Sequence, residues 1–164
     1  MLRKAREDRA ALVGRLYDAH GAALYRYALM LLADHAAAED AVQQVFTTLL
    51  RHRAEIADEA RYLRRSIRNE CYSALRRKKR MARDDRPLLD AAEGATVGAE
   101  ERLALQAVIA GLPPEQREVI HLHVFEGMTF VEAAEASGES MNTIASRYRY
   151  AIAKLRAALR RHPE

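Results

Sequence analysis

Hydrophobic positions recur at helical spacing along most of the chain. Residues 10–33 carry two apolar stripes, and the pattern predicts two helices parted at Gly21. The stripes comprise Leu12, Val13, Leu16 and Tyr17, then Leu24, Ala28, Leu31 and Leu32.

A third helix is predicted to begin after Asp34, because a short carboxylate side chain can accept hydrogen bonds from the free amides of a first helical turn. Its apolar positions are Val42, Val45, Phe46, Leu49 and Leu50. Its opposite face carries Asp40, Gln43, Gln44, Thr47 and Arg51. A helix face that only meets water usually carries more lysine and glutamate, so this mostly uncharged polar face favours contact with a partner.

A long helix is predicted over roughly residues 60–80, after a short connection at residues 53–59. Leu63, Ile67, Cys71 and Leu75 repeat every fourth residue and form its buried stripe, so Cys71 is expected to be an inert core cysteine. The remaining faces carry Arg61, Arg64, Arg65, Arg68, Asn69, Tyr72 and Arg76.

The charge of the chain is concentrated in blocks. Residues 61–83 hold ten basic side chains against one acidic, residues 84–101 six acidic against one basic, and residues 141–164 six basic against one acidic. Two basic blocks around an acidic spacer predict two contacts with one polyanion. A basic run is more often a solvated face or tail. This one lies on a helix with an apolar side and includes Asn and Tyr, which favours nucleic acid.

Composition supports a nearly all-helical protein. Aromatic residues make up 6% of the 164, and Gly and Pro are scarce at 7 and 4. The single cysteine excludes an internal disulfide and fits a reducing compartment. The charged N-terminus lacks the apolar core of a signal peptide, and no apolar run approaches the ~20 residues of a membrane span, so a soluble cytoplasmic protein without membrane insertion is expected.

Residues 84–100 break the helical periodicity and contain Pro87, Gly94 and Gly98, which predicts a linker. A helix is then expected near residues 101–110, followed by one that Pro113 and Pro114 open and Gly127 ends. The apolar residues of the second helix are Val119, Ile120, Leu122, Val124 and Phe125.

The C-terminal part of the chain has the pattern of a helix-turn-helix. Residues 129–132 read as a capping box for a short helix to about Ser137, Gly138 makes the turn, and Ser140 can cap a final helix. The inward positions of that helix are Ile144, Tyr148, Ile152, Leu155 and Leu159.

In a helix-turn-helix the first turns of the second helix present side chains to base edges in the major groove. Here they expose Ser140, Asn142, Thr143, Ser146, Arg147, Arg149 and Tyr150, and the later Lys154, Arg156, Arg160 and Arg161 suit phosphate or solvent. An ordinary helical hairpin is the alternative. DNA binding is favoured because the helix caps, the glycine turn and the basic residues of the second helix all fit the helix-turn-helix motif.

Catalytic and metal chemistry find little support in the sequence. It has no phosphate-binding glycine-rich loop, nucleophile motif or paired carboxylates in an apolar setting, so no enzyme and no cofactor are expected. His121 and His123 stand two positions apart, so on a helix their rings would diverge by ~200°, and no second ligand pair completes a metal site.

Several segments together resemble the extracytoplasmic-function (ECF) sigma factors of bacterial RNA polymerase, over about residues 12–160. In the first half they are Ala38-Glu39-Asp40, Gln43-Gln44-Val45-Phe46, Tyr62-Leu63, Ile67-Arg68-Asn69 and Arg76-Arg77. In the second half they are the run from Leu112 to Val119 and Asn142-Thr143-Ile144-Ala145-Ser146-Arg147. Each is weak alone, but all occur in order and at family-like spacing.

The resemblance implies two small helical domains at residues 10–82 and 101–161, joined by a linker at 83–100. The first would bind core polymerase and the −10 promoter element, and the second would read the −35 element. The clamp of the largest polymerase subunit would meet Asp40, Gln43, Gln44 and Thr47. The −10 DNA would meet Arg61, Arg64, Arg65, Arg68, Asn69, Tyr72 and Arg76, and the 53–61 connection would capture a flipped-out base.

Some positions depart from the family pattern. Tyr62 stands where Trp is common, and Ser73 where Asp is frequent. In the final helix Ala145 and Tyr150 replace frequent basic residues, which bears on the −35 sequence that is read.

Two other functions remain open. A sigma-like decoy would occupy an anti-sigma protein without touching DNA, but it would not need the retained arginines. A one-component repressor would not explain the acidic linker or the polar Asp40–Gln44 face. The resemblance also implies a cognate anti-sigma partner, which no residue identifies.

Overall fold

The computed structural model describes residues 2–52, 55–81 and 99–160, and every regular element in these ranges is helical. The all-helical prediction is therefore confirmed. Arg53 and Ala54 of the predicted base-capturing connection, nearly all of the predicted linker and Arg161 lie outside the described residues.

The chain divides into two compact units, Met1–Arg77 and Lys78–Glu164. The first half contains α1 (Leu2–Leu32), α2 (His35–Arg51) and α3 (Glu59–Met81). The second contains α4 (Ala99–Ala110), α5 (Pro114–Ile120), a π-helical turn (His121–Phe125), α6 (Phe130–Ser137) and α7 (Met141–Leu159).

The first helix runs unbroken through Gly21, so the prediction of two helices parted there is wrong. A glycine inside a helix costs only about 1 kcal/mol relative to alanine. Leu16 on one side of it and Leu24 on the other are both buried, and α1 packs against α2 along this stretch. Burial of that stripe outweighs the local cost, and the Tyr17 ring lies against the bare Cα of Gly21.

The second helix begins as predicted. The Asp34 carboxylate accepts a hydrogen bond from the Ala37 N–H at 2.9 Å. Of its five predicted apolar positions four are buried, whereas Leu50 is 49% exposed and is not part of the core. The reason is angular: Leu50 is about 100° around the helix from Leu49, which carries it out of the arc that faces α1.

The third helix is held at its start by two contacts. Asp58 caps it by accepting the Arg61 N–H at 3.0 Å, and Glu59 pairs with Arg15 of α1. Leu63, Ile67 and Cys71 are buried, which confirms the predicted stripe and the core position of the cysteine; Leu75 is half-buried.

In the second unit, α5 begins with Pro114 in its first turn and does not continue as an α-helix to Gly127. The wider π-helical turn follows, closed by the Glu126 N–H donating to the His121 carbonyl at 3.0 Å. Val124 and Phe125 lie at the end of this turn and are 54% and 64% exposed, whereas Val119, Ile120 and Leu122 are buried. Of the five apolar residues of the predicted helix, the last two are therefore outside the core.

The last helix packs against α4, α5 and α6. Its predicted inward position Ile144 is fully buried, and Tyr148, Ile152 and Leu155 are half-buried. The side chain of Leu159 lies outside what the structure describes. Across the described helices, none is both long and apolar enough to cross a bilayer.

Candidate nucleic-acid interface

The basic face of α3 is a continuous strip. Helix geometry places the seven predicted contact residues within an arc of about 140°, on the side away from Leu63. Four of them are exposed and three are half-buried. The exposed ones are Arg61, Arg65, Asn69 and Arg76, and the half-buried ones are Arg64, Arg68 and Tyr72.

Within this strip the side chains are ordered by local contacts. The Arg68 guanidinium lies 4.7 Å from the centre of the Tyr72 ring, a cation–π arrangement that holds the ring against the strip. Arg76 donates to the Ser73 hydroxyl at 2.9 Å. Ser73, one of the departures from the family pattern, therefore serves as a hydrogen-bond acceptor.

The acidic residue of this helix segment does not neutralise the strip. Glu70 lies opposite the strip and accepts a hydrogen bond from Arg77 at 3.1 Å. Arg77 is outside the seven predicted contact residues, so its pairing leaves the positive potential of the strip in place.

The polar face of α2 is accessible as predicted. Asp40, Gln43 and Gln44 are exposed and Thr47 is half-buried, on the side away from the buried Val42–Leu49 stripe. Leu50, predicted on the apolar side of α2, instead lies near Gln43 and Thr47 in angular position and adds an exposed apolar group to this face. The available signal was its angle: at 100° per residue Leu50 lies about 20° from the polar Gln43 and about 100° from the buried Leu49.

The predicted helix-turn-helix is present. In the capping box Thr129 accepts the Glu132 N–H at 3.2 Å, while the Glu132 carboxylate accepts the Thr129 N–H at 2.7 Å and its hydroxyl at 2.9 Å. These bonds hold the pKa of Glu132 below its ordinary value. Gly138 has a left-handed φ of 72°, and Ser140 caps α7 by accepting the Thr143 N–H at 3.1 Å.

The predicted base-reading residues of α7 fall into two groups. Ser140, Asn142, Arg149 and Tyr150 are exposed, with the Arg149 guanidinium 5.8 Å from the centre of the Tyr150 ring. Thr143, Ser146 and Arg147 are half-buried. Arg147 donates to Glu139, in the turn before α7, at 3.1 Å.

Rings from the π-helical turn and from α6 pack against Tyr148 of α7. The rings of His123, Phe130 and Tyr148 form a cluster with centroid distances of 4.6, 4.9 and 5.4 Å. His123 also donates from Nδ1 to the Met128 carbonyl at 2.6 Å, and this contact links the π-helical turn to the start of α6.

Both histidines make contacts within the fold. His121 is 5% exposed, and its Nε2 lies 2.9 Å from a Glu126 carboxylate oxygen. In the described part of the chain no group of three or more His, Cys, Asp or Glu residues is placed to hold a metal ion.

Comparisons with known proteins match both halves of the chain. The family model for Sigma-70 region 2 matches residues 16–81, and that for Sigma-70 region 4 matches residues 102–155. The ECF RNA polymerase sigma factor SigL of Mycobacterium tuberculosis is 32% identical, with 92% of this chain and 90% of the relative covered. SigK of the same species is 26% identical, with 96% and 90% covered.

Two solved structures resemble the fold over nearly its whole length. The sigma factor RpoE, in complex with the anti-sigma factor NepR from Bartonella quintana, matches with a TM-score of 0.65 and 26% identity, covering 94% of this chain and 96% of that one. CnrH, in complex with the cytosolic domain of CnrY, matches with a TM-score of 0.66 and 25% identity, covering 98% and 96%.

Proposed function

The chain belongs to the extracytoplasmic-function sigma factors of bacterial RNA polymerase, and on that premise we propose how its surfaces divide the work of promoter recognition. As a sigma factor it acts in transcription initiation with core polymerase and promoter DNA. The observation that carries the proposal is the pair of helices α3 and α7, one in each half of the chain. Each buries an apolar stripe and exposes cationic and polar side chains.

The basic strip of α3 binds the −10 element in this proposal. A single-stranded segment needs cations along its backbone and ring faces for its bases, and the strip supplies both, with Arg65 exposed and Tyr72 held by Arg68. The binding set is Arg61, Arg64, Arg65, Arg68, Asn69, Tyr72 and Arg76.

The start of α7 reads the −35 element. An exposed Asn142 suits the paired donor and acceptor of adenine, and an exposed Arg149 suits the two acceptors of guanine. Ser140, Thr143, Ser146 and Tyr150 complete the contact surface, and Arg147 lies beside them, paired with Glu139.

Core polymerase binds the polar face of α2, formed by Asp40, Gln43, Gln44 and Thr47, on the clamp of its largest subunit. An interface core is depleted in charge, and this face is mostly uncharged; the exposed Leu50 adds the apolar area that such an interface buries. The corresponding domains are residues 10–82 for polymerase and −10 binding, 83–100 for the linker and 101–161 for −35 binding.

A partner of the anti-sigma class fits the same surfaces. RpoE is bound by the anti-sigma factor NepR, and CnrH by the cytosolic domain of CnrY, and both folds match this chain over more than nine-tenths of its length. We therefore place this chain in the cytoplasm as a non-enzymatic factor under anti-sigma control. The findings do not favour the decoy, because the chain matches sigma factors through both regions.

The test uses full-length variants with core polymerase on a promoter fragment found by mapping new transcription start sites. Asn69→Ala should reduce transcription and its dependence on the −10 sequence, because the exposed amide can bond base edges whereas a backbone contact carries no sequence information. Arg149→Gln should reduce dependence on the −35 sequence alone. If both variants lost sensitivity to the same element, the assignment of α3 to the −10 element and of α7 to the −35 element would be wrong.

A further inference from the structure

Arg147 differs from the other cations of α7 in where it lies. It stands one turn after Ile144 and one turn before Ala151, and both of these are fully buried. Around the helix axis Arg147 is about 140° from Asn142, whereas Arg149 is about 20° from it. Its side chain therefore starts from the core side of α7, away from the exposed stripe of Asn142 and Arg149.

The guanidinium of Arg147 is also engaged within the fold. Its Nη2 donates to a Glu139 carboxylate oxygen at 3.1 Å, and the two side chains are only 23% and 33% exposed. Its Nη1 is buried and finds no hydrogen-bond partner among the described residues. An arginine reading a base or holding a phosphate needs its donors free at the surface, and this one directs its donors inward.

Glu139 is itself fixed to the preceding helix. Its N–H donates to the Ala134 carbonyl of α6 at 3.0 Å, immediately after the left-handed Gly138. A carboxylate anchored at the end of α6 thus holds a guanidinium in the second turn of α7. The ion pair spans the turn between the two helices, so it constrains the angle at which α7 leaves that turn.

We propose that Glu139 and Arg147 are positioning residues that set the orientation of α7 for −35 recognition, and that Arg147 does not itself contact DNA. The inference rests on the proposed function, in which α7 reads the −35 element. It assigns direct reading to the exposed Asn142 and Arg149 and to the half-buried Ser146 beside them. It gives Glu139 a role in promoter recognition although Glu139 carries the charge that DNA repels.

A charge swap separates positioning from contact. Glu139→Arg and Arg147→Glu each place like charges together, and each should lower the ratio of transcription from intact and scrambled −35 elements by about tenfold, because small misplacements of recognition groups have large effects. The double variant restores an opposite-charge pair at unchanged net charge, and should return the ratio to within about threefold of the original. Glu135→Arg, an exposed charge change on α6, is the matched control.

The result that would overturn the proposal is a double variant as impaired as Arg147→Glu, because a carboxylate at a true DNA contact cannot be rescued by its neighbour. Single variants without any effect on the ratio would overturn it equally. The unmodified protein is measured first. If its transcription with core polymerase did not depend on the −35 sequence, the proposed function itself would be wrong.

A second measurement, the salt dependence of promoter binding, does not use the charge-reversal variants and therefore does not depend on their folding. Each phosphate contact contributes ~0.9 to the slope of log binding constant against log salt concentration. For polymerase holoenzyme on the same promoter fragment, Arg147→Gln should leave this slope unchanged. Arg149→Gln, which changes an exposed arginine two positions away, is the comparison variant. A fall of ~0.9 with Arg147→Gln would show a DNA contact and contradict the proposal.

Discussion

Arg15 and Glu59 form a two-bond ion pair, with Nη2 to Oε1 at 2.8 Å and Nη1 to Oε2 at 3.2 Å. It joins the middle of α1 to the first turn of α3, the helix that carries the basic strip. A carboxylate in a first helical turn also interacts favourably with the helix dipole. The pair thus fixes the start of the strip relative to the core of the first unit.

This pair predicts a specific response to acid. The hydrogen bond from Arg15 lowers the pKa of Glu59, so the folded protein binds this proton less readily than the unfolded chain. The stabilisation is present above the ordinary glutamate pKa and is lost as the pH falls through the lowered one. Glu59→Gln should therefore lose less stability between pH 7 and pH 3, as measured by urea denaturation.

The effect should be small and sensitive to salt, because both side chains are accessible to solvent. Glu55→Gln, an exposed residue of the preceding connection, is the control. If Glu59→Gln and the original protein followed the same pH profile, the pair would not act in solution.

Two glycines should respond oppositely to alanine. Gly14 lies within α1, and a Cβ there would meet no atom within 4 Å, so Gly14→Ala should raise the free energy of unfolding by about 0.5–1 kcal/mol. Gly138 has a φ of 72°, so Gly138→Ala should lower it by about 1–2 kcal/mol. Thermal unfolding checks both; a stabilising Gly138→Ala would contradict the turn geometry.

The cap of α2 is expected to contribute measurably to stability. Asp34→Ala removes the acceptor for the Ala37 N–H and should cost about 1 kcal/mol in urea denaturation. Asp18→Ala, an exposed position within α1, is the control and should have a much smaller effect. Equal losses in the two variants would mean that the cap is not formed in solution.

Most of the fold could be predicted because its signals are local. The capping box at Thr129 and Glu132, the cap at Ser140 and the left-handed Gly138 each depend on residues within one turn, and the structure contains all three. The failures were tertiary. Gly21 was wrongly predicted to separate two helices, because the burial of the residues on either side of it cannot be inferred from the local sequence. The π-helical turn after Ile120 gave no signal in the spacing of apolar residues.

The candidate site was predictable in composition but not in geometry. The sequence identified the cations of α3 and α7, and helical spacing placed those of α3 on one face. It could not show that Arg147 turns toward Glu139, since both are polar residues near a turn and neither interrupts the apolar pattern. Pairing between residues eight positions apart across a turn depends on the angle between helices, which no local pattern specifies.

Two exposed arginines of α3 should differ in their contribution to DNA binding. Arg65 lies in the basic strip, and Arg77 lies outside it, paired with Glu70. Arg65→Gln should reduce the salt slope of promoter binding by ~0.9, and Arg77→Gln should leave it nearly unchanged. Equal slopes for the two variants, measured with polymerase holoenzyme, would contradict the assignment of the strip.

The exposed Leu50 provides a test of the polymerase-binding face. Leu50→Arg should weaken binding to core polymerase by about tenfold, because it places a charge where the interface excludes water. Ala22→Arg, which adds the same charge at an exposed position of α1, is the control and should bind nearly normally. Titration of labelled protein with core polymerase measures both; the reverse order of affinities would place the interface elsewhere.

The most direct test of promoter recognition by this protein is run-off transcription with purified bacterial core polymerase on a library of fragments from the source genome, with and without the protein. We expect discrete new start sites that appear only with the protein and share two upstream sequence elements, one for α3 and one for α7. An absence of new start sites from protein that binds core polymerase, or start sites preceded by no shared element, would contradict the account.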